Sequence, residues 1–116
     1  MREPAAGAHE ILLGAAAAAA GAGVLVCDDT LRYVAVNSAA CKLLGYTRDQ
    51  LLELRVSDVV ERPSGGLLDA AREVLDGKIR HGTVAMRRKD GGGFPVQYVS
   101  VPASLDGVPH VLTLLW

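Results

Sequence analysis

Apolar residues change their period several times along this chain. Val24-Leu25-Val26-Cys27 is a continuous apolar run, β-branched at alternate positions, and it stops at the polar Asp28-Asp29-Thr30. Arg32 to Val36 follows, so two strand-like runs flank a polar turn and predict a hairpin. No Gly lies in that turn, which leaves its type open. From Asn37 the period becomes helical: Ala40, Leu43 and Leu44 share one face, Asn37 or Ser38 is placed to cap it, and Gly45 to close it. Thr47-Arg48-Asp49-Gln50 spells a capping box, with Tyr46 and Leu51 where a hydrophobic staple would bring them together. Two start signals so close predict two short helices at an angle. Ser57 to Val60 fits one further helical turn, and Pro63-Ser64-Gly65-Gly66 reads as a break. Leu67, Leu68, Ala71, Val74 and Leu75 then form one helix face that Gly77 ends. The remainder reads as strand: Gly82 to Arg88, Phe94 to Ala103 and Pro109 to Leu115, separated by Lys89–Gly93 and by Leu105-Asp106-Gly107. Strands, a helical middle and strands again predict an α+β fold, ordered ββ-ααα-βββ, with an antiparallel sheet.

Composition narrows this picture. A chain of 116 residues, 50% hydrophobic and 22% charged, is expected to form one globular domain with a single core. Aromatics are only 4%, so Leu, Val and Ala must build that core. The formal net charge is −1, and the one basic run is Arg87-Arg88-Lys89 beside a turn, which argues against a nucleic-acid partner. Cys27 and Cys41 stand too far apart for a metal or redox motif and read as reduced thiols of a cytoplasmic protein. The uncharged stretch Ile11 to Cys27 is mostly Ala and Gly, with no basic flank. It predicts a soluble flanking helix over His9 to Ala20, ended by Gly21, and no membrane span or signal peptide. The expected organisation is a flanking helix in residues 1–22 and a globular domain in residues 23–116.

The ordered set GVLVCDDTLRYVAVNSAACKLLGYTRDQLLEL, an amphipathic helix, RRKDGGGFPVQYVSVPASLDG and a closing apolar strand resembles the PAS domain family, the sensory and interaction modules of signalling proteins. The first turn departs from it, reading DDTL where many relatives have Asp-Gly. The resemblance implies a five-stranded antiparallel sheet with short helices on one face, enclosing a site for a small ligand, in a protein that carries an output domain. The light-sensing flavin relatives carry Cys within Asn-Cys-Arg-Phe-Leu-Gln, whereas Cys41 lies in SAACKLL, so a flavin photo-adduct is not expected. Haem relatives take a His from the long helix, and LLDAAREVLDG contains none, so haem is not expected either.

Strand alternation assigns the faces. The resemblance implies that the set Val34, Val36, Val84, Met86, Val96, Tyr98 and Ser100 faces the helices and the site, with Asn37 at the rim. This lining suits an acyl chain or another small apolar ligand. The opposite face carries Val99 and Val101, and the last strand is apolar at both parities, bringing Leu112 and Leu114 there. A sheet wetted on one side alternates cleanly; this one is expected to be covered by the N-terminal helix, by a second copy of the chain, or by both. Ile11, Leu12, Val99, Val101, Leu112 and Leu114 are therefore the expected homodimer surface. No catalytic motif appears, so an enzyme is not expected. The competing reading is an interaction module that binds nothing small.

Overall fold

A computed structural model describes residues 21–61 and 65–116, with residues 65–68 described in backbone only. The expected N-terminal helix, with Ile11 and Leu12, lies outside the described residues, as do Pro63 and Ser64.

Strands β1 (Gly23–Cys27) and β2 (Tyr33–Val36) form the first hairpin. Its turn works without Gly because Asp28 organises it: the Asp28 carboxylate accepts hydrogen bonds from the Thr30 and Arg32 amides and from the Thr30 hydroxyl. Leu31 takes the left-handed conformation, φ 66°, that glycine would otherwise supply. That strain is offset by burial of the Leu31 side chain in the core.

Asn37 caps helix α1 (Ser38–Leu44), and Gly45, at φ 78°, ends it. Thr47 and Gln50 form the capping box of helix α2 (Arg48–Leu51). Helix α3 (Val56–Val59) is the single turn expected. Helix α4 spans Gly65–Leu75, so Gly65 and Gly66, read from the sequence as part of a break, are its first residues. A first turn needs no Cβ packing, and its free amides cost little at glycine. The last three strands are β3 (Arg80–Arg87), β4 (Gly93–Leu105) and β5 (Val108–Leu115), each slightly longer than the apolar pattern alone indicated.

All strand pairs are antiparallel, in the order β2-β1-β5-β4-β3. One irregularity matters for the site. Leu25 pairs with Val36 and Val26 with Ala35, but Cys27 then pairs with Tyr33, so Val34 has no partner. This bulge turns Val34 outward, where it is 40% exposed, and brings Tyr33 to the inner face, where it is 3% exposed. Val34 is thus removed from the expected lining.

Two apolar clusters lie on the two faces of the sheet. The inner one joins Leu25, Val36, Met86, Val96, Val111 and Leu115 to side chains from all four helices. Gly23 lies against α1: a Cβ there would lie 3.2 Å from the Ala40 Cα, so a larger residue would require α1 to give way by a few tenths of an ångström. The outer cluster joins Val24, Val26, Ala103 and Leu112 to Val101 and Leu114. The last strand is therefore apolar on both faces, as its sequence indicated.

Candidate functional site

Helix α4 packs over β4 and β5 but does not fill the space beneath it. A cavity of about 120 Å³ remains between the inner face and the helices α3 and α4, with contributions from all five strands. Its walls are mostly apolar. Val56 and Val60 bound it from α3 and its C-terminal flank, Ala70, Ala71 and Val74 from α4, and Val84, Met86, Val111 and Leu115 from the sheet. Among the described side chains of α4, Ala70 and Ala71 are small and leave room beneath them.

One rung of the sheet supplies most of the polarity. Arg80, Ser100, Thr113, Leu25 and Val36 are paired in turn across β3, β4, β5, β1 and β2. The first four line the cavity, polar at the β3 edge and apolar beyond β5. Ser100 Oγ and Thr113 Oγ1 are 2.7 Å apart and hydrogen-bond each other. At the edge, Arg80 donates to Glu73 of α4 at 2.6 Å, an ion pair of two half-exposed side chains. Glu73, and then the Tyr98 hydroxyl, hold the Arg80 guanidinium above its ordinary pKa. The pair joins α4 to β3 beside the cavity; being exposed, it contributes little to stability.

The other end of the cavity is deeper. Cys27 and Tyr33 both line it and both are buried. Burial, and then the charge of Asp28, push the Cys27 thiol up to about 12. Burial also raises the Tyr33 phenol, so both groups stay protonated at neutral pH. The Tyr33 hydroxyl has no hydrogen-bond partner among the described residues.

Of the residues expected to line a pocket, the cavity brings together Val84, Met86, Tyr98 and Ser100. Val36 and Val96 are buried in the inner core but stand away from the cavity. Asn37 is not at its rim. Its Oδ1 accepts from the amides of Val24 and Ala40, and its Nδ2 donates to the Ala22 carbonyl, so it ties α1 to the start of β1. Sequence reasoning missed Tyr33, Arg80 and Thr113. The alternation of Met86 and Val84, continued backward through Gly82, leads to Arg80, and that of Leu115 and Val111 includes Thr113; both signals were present. Tyr33 was hidden by the bulge.

The expected outer residues Val101, Leu112 and Leu114 lie in the outer cluster, and Val99 is half-buried on the same strand face. His110 shares that face and is held by the Val108 carbonyl, 2.8 Å from its Nδ1. Among the described residues no group of three or more His, Cys, Asp or Glu gathers as a metal site, and no helix is long and apolar enough to cross a membrane.

Residues 21–115 match a family model described as PAS domain. No curated protein matches the chain. Among solved structures, the chain is similar to a domain of a sensory box sensor histidine kinase/response regulator from Geobacter sulfurreducens, at 21% identity and TM-score 0.71 over 90% of this chain and 95% of that one. It is likewise similar to the PAS domain of nitrogen regulation protein NR(II) from Vibrio parahaemolyticus, at 19% identity and TM-score 0.69 over 83% and 88% of the two chains. A PAS domain of a protein from Colwellia psychrerythraea aligns at 18% identity and TM-score 0.74, over 91% and 95%. At such identities the likeness shows a shared fold.

Proposed function

This chain belongs to the PAS domain family, and from that premise we propose that it is the sensory module of a cytoplasmic signalling protein, binding a small ligand in its core and assembling as a homodimer. The observation that carries the reading is the partly open apolar cavity of about 120 Å³ under α4, because a concave apolar space with a few convergent polar groups is the form ligand sites take. An apolar cavity of that size suits a compact or slender ligand such as a short acyl chain, small beside the few hundred Å³ of a drug-sized site.

The outer face supports the second half. Leu112, with Val101 and Leu114 packed against it and Val99 on the same strand face, forms the apolar cluster opposite the cavity, and we read Ile11 and Leu12 of the N-terminal segment or a second protomer as its cover. Strand β5 joins the two faces within single residue steps: Thr113 lines the cavity while Leu112 and Leu114 belong to the outer cluster. A ligand that shifts Thr113 therefore shifts the outer surface too, and an attached output domain would read that change. Nothing in the site calls for catalysis, and we read the chain as non-enzymatic.

Native mass spectrometry of freshly purified protein tests the ligand directly. A retained small molecule is expected, and it should be lost in Ala71→Leu, which fills the cavity from α4. Saturating a ligand at a hundred times its Kd should stabilise the fold by about 2.7 kcal/mol. A protein that carries no small molecule and shows no thermal shift across a metabolite panel would be the interaction module alone. Sedimentation of Leu114→Arg should show weakened self-association with an unchanged fold; an unchanged dimer would place the interface elsewhere.

A further inference from the structure

The cavity's hydrogen-bonding groups can be counted, and the count constrains what it holds. Ser100 and Thr113 each carry one O–H. Whichever of the two donates in their mutual 2.7 Å hydrogen bond, one O–H is spent and the other stays free. Neither hydroxyl has another side-chain partner among the described residues, and both residues line the cavity. Tyr33 adds a second unspent O–H, on a side chain 97% buried by its 3% exposure. Tyr98, half-buried and also lining the cavity, carries a further hydroxyl. The hydroxyl oxygens keep unused lone pairs as well, but a buried donor without an acceptor is the costlier group to leave unmet, so the unspent O–H groups are what a ligand has to satisfy.

Charge is handled differently. Cys27 and Tyr33 are neutral, and among the residues that line the cavity Arg80 is the sole charged one. Arg80 sits at the β3 edge, already paired with Glu73. A carboxylate drawn into this space would lose its hydration and have to compete with Glu73 for Arg80 at the edge, and an ammonium would meet no anion among the lining residues, so both are disfavoured against an uncharged ligand. An uncharged oxygen acceptor meets the free hydroxyl without that cost.

We propose that the ligand is an uncharged, largely aliphatic molecule carrying one oxygen acceptor, such as a ketone, ester or ether, with that oxygen seated on the Ser100–Thr113 hydroxyl pair and its apolar body running beneath α4 toward Tyr33. The inference rests on the reading of the cavity as a ligand site and adds the chemical class. The Ser100–Thr113 pair acts as one donor: the mutual hydrogen bond spends one O–H and leaves the other to turn toward the ligand.

Titrating the full chain at neutral pH with hexan-2-one, hexanoate and hexylammonium, followed by ligand-observed NMR, separates the classes. The ketone is expected to bind at least about tenfold more tightly than either ion. The double variant Ser100→Ala/Thr113→Val removes both partners of the pair together and so leaves no orphaned hydroxyl to destabilise the fold. It should lower ketone affinity by about fivefold to tenfold while the thermal midpoint stays near that of the parent. Tighter binding of hexanoate, lost in Arg80→Gln, would overturn the inference and leave the ligand site standing. Ketone binding unchanged in the double variant would overturn it as well, because apolar burial alone would then explain the affinity. Failure of all three probes to bind at millimolar concentration would overturn the ligand site itself, and this inference with it.

Discussion

Asn37 holds three pieces of chain with one amide. Capping α1 was legible in the sequence, because an Asn followed by a helical period predicts a bond three residues away. The bonds to Val24 and Ala22 were not legible, since they span 13 and 15 residues and depend on how β1 lies against α1. Asn37→Ala should cost about 2–3 kcal/mol in urea denaturation, more than a cap alone. Asn37→Asp keeps the acceptor and loses the donor to Ala22, so an intermediate loss is expected. Cys27 gives a second test at this scale. With its thiol at about 12, only about one molecule in ten thousand carries a thiolate at pH 8. A thiol reagent should therefore modify the half-buried Cys41 in the native protein and reach Cys27 only on unfolding. Folding raises the Cys27 pKa from its ordinary value near 9. The protonated form thus favours the fold fully below pH 9, and that contribution is lost as pH rises toward 12. Cys27→Ala should show a shallower alkaline decline in stability than the parent.

At the scale of elements, most of the helices were readable and the β1–β2 register was not. Caps and closing glycines are local devices, so α1, α2 and α3 emerged from a few residues each. The bulge that skips Val34 is decided by the Asp28 turn and by burial of the Tyr33 ring, neither of which leaves a periodic trace. Paired substitutions check this register. Val34→Thr should change stability by no more than about 0.5 kcal/mol, as an exposed site allows. Val36→Thr, which places a hydroxyl in the inner core, should cost about 1–3 kcal/mol. Equal costs would mean that β2 pairs in the unbulged register. The same skip explains the gap in the expected lining: a regular alternation gives Val34 and Val36, whereas the cavity takes Tyr33 from this strand.

Across the whole molecule, the class of fold followed from the order of the elements and the grouping of β4 residues into two faces from alternation, while which face meets the helices came from the family resemblance. The cavity did not follow, since it arises from what α4 leaves unfilled rather than from any motif. Its position beneath Ala70 and Ala71 depends on helix placement, which sequence period leaves undetermined. The order β2-β1-β5-β4-β3 is a further property of the whole. In the hydrogen-bonded ladder the two hairpins are joined through β5, the last strand in sequence and the middle one in the sheet. During synthesis the ribosome therefore releases the hairpins β1–β2 and β3–β4 with the edges that β5 will pair still open. Contacts of the helical segment with β3 and the turn after it, such as Val60 with Met86 and Lys89 with Leu44, are the backbone links between them until residues 108–115 emerge. Completion of the sheet is therefore expected to be a late step. A stalled chain ending at Gly107 should be protease-sensitive at both hairpins, and adding a synthetic 108–115 peptide in trans should restore protection to both together. Until that strand arrives, the open edges are what a chaperone would have to shield.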